Sequence, residues 1–189
     1  MAQKLVRYID MEEFKKLLTA EKDKKYKLAY VLAMGSGLRE SEVIGYKGKS
    51  RKKDKKTGEI IETEVIIPRL TKDRVDLEKH SITILSGKGK KDRITMTSPW
   101  LNKTNVQLLP LDIKRRTLQG RITRLSKKTL GRNITFHTLR HGWANHLINV
   151  KKIPQTQVQS LGGWSRLDTL GIYARANPID AINAAFEVF

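Results

Sequence analysis

The sequence predicts an α+β domain, mainly α-helical, with a small antiparallel β-sheet. Apolar residues recur at spacings of three and four along several stretches, as in Phe14, Leu17 and Leu18, or Leu139, Trp143, Ala144, Leu147 and Ile148. Runs of β-formers are short and confined to the middle of the chain, around residues 60–67 and 81–97. At 189 residues the chain is long enough for one sizeable core and too short for two ordinary domains.

Asp10 with Glu13 three residues later reads as a capping box, and Met11, Phe14, Leu17 and Leu18 make one apolar face of the helix it opens. A second helix is predicted from about Lys25 to Met34. It is apolar nearly all round, which predicts burial, and it stops at Gly35-Ser36-Gly37. Arg39 and Glu42 open a third helix and lie three residues apart on one face, the spacing of an ordinary surface ion pair. Residues 47–56, KGKSRKKDKK, are a dense basic run, predicted as a flexible or protruding segment rather than a packed element because like charges repel. The β-formers Ile60, Ile61, Val65, Ile66 and Ile67 beyond it suggest a small hairpin with Gly58 near its turn.

A second hairpin is predicted from residues 81–85 and 93–97, with Lys88 in its glycine-bearing turn and Lys90 and Lys91 beside it. From Pro110 to about Lys127 a helix is expected. Its polar side would offer Lys114, Arg115, Arg116, Arg121 and Arg124 to phosphates, positioning a nucleic acid without reading it.

The richest stretch is residues 137–173. His137 and Arg140 share one face near the start of a helix, where free N–H groups attract anions. A short helix after Pro154 ends at Gly162-Gly163, Trp164 follows at once, and a last short helix is predicted from about Leu167 to Tyr173. Beyond it Ile179, Ile182, Phe186 and Phe189 form one apolar stripe, for its own core or a neighbouring subunit. Singly, each residue has an ordinary role: Trp143 and Trp164 as packing residues, Tyr173 as a half-buried aromatic. Their conjunction is specific.

HTLRH at 137–141, LGGW at 161–164 and Tyr173 nine residues later resemble the catalytic signature of the tyrosine recombinases, or phage-type integrases. Upstream, GSGLRESEV at 35–43 resembles that family's first arginine box, and SGKGKKDR at 86–93 its lysine-bearing hairpin, both in the family's order. The resemblance covers roughly residues 10–173 and implies the catalytic core of a DNA breaking-rejoining enzyme. It implies that Tyr173 is the nucleophile, that Arg39, Arg140, His137 and Trp164 bind the scissile phosphate, that Glu42 supports the site and that Lys88 is the general acid. It implies no metal and no cofactor. Trp164 stands where the family often has His.

Residues 46–68 are extra length against the family pattern and form a basic insertion, with Lys47, Lys49, Arg51, Lys52 and Lys53 as DNA-contact candidates beside Lys90, Lys91, Arg115 and Arg116. The family usually carries a further N-terminal DNA-clamping domain. This chain starts almost at the first catalytic helix, so the expectation is either a fragment or a minimal enzyme with weaker, more salt-sensitive binding.

Charge agrees with this picture. Lys and Arg number 38 against 19 acids, a formal net charge of +19, which favours a polyanionic partner. Double-stranded DNA is the expected partner, with self-association on it. Cysteine is absent, which excludes disulfides and thiolate chemistry. No signal peptide or membrane-spanning apolar run is visible, so a cytoplasmic protein is expected, nucleoid-associated or in the host cell of a virus or plasmid. Two other readings stand beside recombination: a type IB topoisomerase sharing the nucleophile, and a non-catalytic DNA-binding accessory with the same fold.

Overall fold

A computed structural model describes residues 8–54, 57–85, 92–167 and 170–171, with Lys52 and Lys53 described by their backbone only. The described elements run α1 (Met11–Ala20), α2 (Lys24–Ser36), α3 (Glu40–Ile44), β1 (Tyr46–Lys53), β2 (Ile60–Ile67), a 3-10 turn (Lys72–Arg74) and β3 (Val75–Asp76). They continue with β4 (Ser81–Ile84), β5 (Arg93–Met96), α4 (Lys103–Val106), α5 (Arg115–Leu130), α6 (Phe136–Asn145), a π-helical turn (His146–Val150) and α7 (Gln155–Gly162).

The all-round apolar sequence of α2 does what it predicts: every residue from Leu28 to Ser36 is buried. It packs chiefly on α6, and α1 packs on α5. The capping box of α1 forms, Glu13 N–H donating to Asp10 at 2.8 Å and Asp10 N–H to Glu13 at 3.3 Å. α2 ends because Gly37 takes the left-handed conformation, φ 69°, letting Leu38 N–H return to the Leu32 carbonyl at 3.1 Å. A side chain at Gly37 would also meet the Trp143 ring at 2.6 Å, so the turn and the docking of α6 need the same glycine. At the other end, Arg121 of α5 grips Glu21 through two hydrogen bonds, 2.6 and 2.9 Å, and lies 4.3 Å over the Tyr26 ring. That cation is committed to the fold, which corrects its expected place among the phosphate contacts.

Two sheets form. β3-β4-β5 is antiparallel, with Ile82 and Ile84 facing the core. The second is the two-stranded ribbon β1-β2, paired from Tyr46↔Ile67 to Lys53↔Ile60. So the basic run, expected as a flexible or protruding segment beside a small hairpin, is over residues 47–53 a hydrogen-bonded strand of that hairpin. Its repulsion is offset across the ribbon, where Glu62 takes Arg51 at 2.6 Å and Lys49 at 3.0 Å, and Glu64 takes Lys47 at 3.5 Å.

The helix predicted from Pro110 begins at Arg115 instead. Leu109, Leu111 and Ile113 are buried while Pro110 and Asp112 are exposed, so this stretch is extended with a period of two that a helical reading blurs. Among the described residues no helix is long and apolar enough to cross a membrane.

Candidate active site

Three arginines gather where α3, β5, α6 and the end of α7 converge, and two of them bind one carboxylate. Glu42, its side chain fully buried, accepts from Arg39 Nη1 at 2.7 Å and from Arg93 Nη1 and Nη2 at 2.7 and 3.0 Å. It also caps its own helix, taking the Arg39 backbone N–H at 2.7 Å. Thus the i, i+3 spacing of Arg39 and Glu42, ordinary on a helix surface, here starts a buried network. Burial works to raise the Glu42 pKa, but the Arg93 hydrogen bonds and the charges of Arg93 and Arg39 hold the carboxyl below its ordinary value.

Arg140 is buried, 2% exposed, on α6. Its guanidinium donates to the Gly37 carbonyl and, at 2.5 Å, to the Gly162 carbonyl, and lies 4.1 Å over the Trp164 ring. Arg39 Nη2 donates to the neighbouring Gly163 carbonyl at 2.8 Å. The C-terminus of α7 therefore draws both guanidiniums to adjacent carbonyls, the favourable place for cations near a helix end. Burial first, then the charge of Arg39, pulls the Arg140 pKa well below its ordinary value, with Glu42 opposing. Trp164 stacks on Trp143, centroids 6.0 Å apart and planes 19° from parallel, which sets the indole against Arg140.

His137 is exposed in the first turn of α6, which Thr135 caps. Its ring meets His141 edge-on at 4.2 Å. Burial, then the charges of His137 and Arg140, lower the His141 pKa to about 4. His137, Arg140 and His141 thus bring the start of α6 to the same corner of the molecule as the Arg39–Glu42 pair.

The structure brings together Arg39, Glu42, Arg140 and Trp164. Lys88, Lys90, Lys91 and Tyr173 lie outside the described residues, as do the side chains of Lys52 and Lys53 and the terminal apolar stripe. The helix predicted up to Tyr173 is described only at its start, where Leu170 and Gly171 N–H groups return to the Leu167 carbonyl. Lys47, Lys49 and Arg51 sit on the ribbon, Arg116 is exposed on α5, and Arg115 pairs with Glu40 at 3.0 Å.

Sequence reasoning missed Arg93, which binds Glu42 with two nitrogens and donates from Nε to the Leu161 carbonyl at 2.9 Å. It locks β5 to α3 and α7 at once. A side chain on Gly163, φ 63°, would strike it at 2.6 Å. The available signal was strand alternation: Arg93 shares a face with buried Thr95.

Residues 105–179 match the phage integrase family. Tyrosine recombinase XerA of Thermococcus kodakarensis is 29% identical over 90% of this chain and 58% of its own length. The chain thus spans little more than half of that relative. Among solved structures, XerA recombinase superposes with a TM-score of 0.67 at 20% identity, covering 99% of this chain and 65% of that one. XerH site-specific recombinase bound to palindromic difH substrate in a post-cleavage complex superposes with a TM-score of 0.64 at 21% identity, covering 96% and 53%. Motif order, fold and family match agree: residues 105–179 carry a phage integrase family match, and the described chain shares the fold of solved tyrosine recombinases.

Proposed function

We propose that this chain is the catalytic domain of a site-specific DNA recombinase that cuts and rejoins DNA through a 3′-phosphotyrosine. The observation that carries the reading is charge: Arg39 and Arg93 share the Glu42 carboxylate while Arg140 is held nearby on backbone carbonyls, so the cluster keeps a surplus of positive charge with donors in place. Such a surplus, fixed before substrate arrives, suits the charge that builds on a phosphate's non-bridging oxygens in a pentacoordinate transition state.

In this reading Tyr173 Oη attacks the phosphorus, a new P–O bond forms to the tyrosine and the bond to the 5′ oxygen breaks. A phenol with pKa about 10 is a poor nucleophile at neutral pH, so His137 takes its proton. Lys88 protonates the departing 5′ oxygen. Arg39, Arg140 and the Trp164 indole N–H hold the phosphate, which requires Arg140 to exchange a carbonyl for a phosphate oxygen. Phosphodiester energy stays in the phosphotyrosine, and attack by a 5′ hydroxyl reverses the steps without ATP. Lys47, Lys49, Arg51, Arg115 and Arg116 contact the DNA, and copies associate on it. A cytoplasmic location follows from such a substrate.

The test is incubation with a nicked suicide duplex, without added metal, followed by a denaturing gel, with Tyr173→Phe alongside. A covalent protein–DNA adduct seen only with the tyrosine is expected, and joined strand-transfer products separate recombination from topoisomerase-like relaxation. DNA binding with identical behaviour of both proteins would instead support the non-catalytic reading.

A further inference from the structure

We propose that the β1-β2 ribbon is a DNA-reading arm that enters the major groove and contacts base edges with the face bearing Lys47, Lys49, Arg51, Glu62 and Glu64. This rests on the DNA-binding reading above and goes beyond it by naming the groove and the reading face.

The register sorts the ribbon's side chains. Residues opposite one another across an antiparallel pair share a face, so Lys47↔Ile66, Lys49↔Glu64 and Arg51↔Glu62 all project to one side. The ion pairs among them confirm it. The register gives the other side Gly48, Ser50, Lys52, Ile61, Thr63 and Val65, of which the described side chains bear no charge. One face therefore carries paired cations and carboxylates, while these described side chains of the other carry only the hydroxyls of Ser50 and Thr63 beside apolar groups.

That charged face is mixed, which decides between two kinds of DNA contact. A surface that tracks phosphates gains from cations only, and carboxylates on it would face like charge. Here three cations on β1 lie beside two carboxylates on β2, the cationic side chains being 77%, 72% and 74% exposed and Glu64 60%. Base edges in the major groove present the complementary set: guanine acceptors for Arg or Lys, the cytosine amino donor for Glu, and the thymine methyl for apolar contact. Ile60 and Ile66, 67% and 56% exposed, lie at the two ends of β2, with Ile66 on the charged face opposite Lys47. They offer the apolar part of the same code. A two-stranded ribbon also fits the groove, whose width is about 12 Å.

The test is selection of duplexes from a random library by the full chain, against the double variant Arg51→Glu/Glu62→Arg. This swap preserves net charge and the cross-strand ion pair but reverses donor and acceptor. The wild type should enrich a motif, and the swap should change preference at about two to four adjacent base pairs while leaving the remainder. Affinity for the wild-type site should fall about tenfold or more, at an unchanged salt slope. A second variant, Arg51→Gln/Glu62→Gln, also keeps the net charge and should lose preference at the same base pairs, covering a swap that fails to fold. An unchanged motif with affinity within about twofold, or DNA binding by the wild type with no sequence preference at all, overturns the proposal. Failure of the wild type to bind any duplex overturns this proposal and the DNA-binding reading together, whereas loss of the Tyr173 adduct with binding intact touches only the catalytic reading.

Discussion

Two carboxylates in this molecule each hold two cations at nearly the same distances, with opposite consequences. Glu42 binds Arg39 and Arg93 at 2.7 Å with its side chain 0% exposed and that of Arg93 8%. Glu62 binds Arg51 and Lys49 at 2.6 and 3.0 Å, yet its side chain is 35% exposed and theirs 74% and 72%. Coulomb attraction at equal distance grows as the surroundings lose water, and so does the cost of leaving one partner alone. Distance alone therefore says little about what an ion pair does. The buried one is part of the architecture that builds the site, and the exposed one is free to exchange its partners.

The sharpest way to break this comparison is Glu42→Gln, which leaves Arg39 and Arg93 without a counter-charge. Urea unfolding should show a loss of about 3–5 kcal/mol; a loss below about 1 kcal/mol would mean that burial does not set the weight. Arg93→Gln comes next, at about 3 kcal/mol, since Arg39 still faces Glu42 while the tie to the Leu161 carbonyl is lost. For the catalytic reading it should also suppress the covalent DNA adduct, and Arg93→Lys should restore part of it. Trp164→Leu removes the indole over Arg140, and its cation–π share should show as about 1–2 kcal/mol of lost stability.

Acid sensitivity supplies another test. The His141 pKa of about 4 lies below the value near 6.5 expected when unfolded. Its contribution to stability is thus complete above about pH 6.5 and is lost progressively as pH falls toward 4, where the folded protein finally takes up the proton. An NMR titration should find this imidazole still neutral at pH 5.5, and a midpoint above 6 would contradict the burial assigned to it. Smallest of all, Glu62→Gln should change stability by less than about 1 kcal/mol, with the effect shrinking as salt is added.

The helical half of the fold was legible because its signals are local. Caps at Asp10 and Gly37 and the apolar periodicities of α1, α2 and α6 lie within a few residues of what they specify. The second hairpin was legible for the same reason. What misled were patterns that balance only across space. The basic run of β1 reads as self-repelling until Glu62 and Glu64 are laid beside it. The alternation of Leu109, Leu111 and Ile113 passes for the start of a helix until burial picks out its period of two. Arg121 looks like one more surface cation until Glu21, a hundred residues earlier in the chain, takes it.

The candidate site divides along the same line. By itself the sequence determined the residue types, their order and the family they resemble, because those motifs are short and contiguous. It also determined the strong positive charge that points to a polyanion. Only the tertiary structure decided that Arg39, Arg93 and Arg140 share a corner, that Arg39 and Arg93 share the Glu42 carboxylate, and that Trp164 lies over Arg140. Apart from the Arg39–Glu42 pair, these contacts join residues 22 to 124 positions apart. Spacing along a chain carries no record of such approaches; burial and packing of α2 against α6 and of β5 against α7 create them.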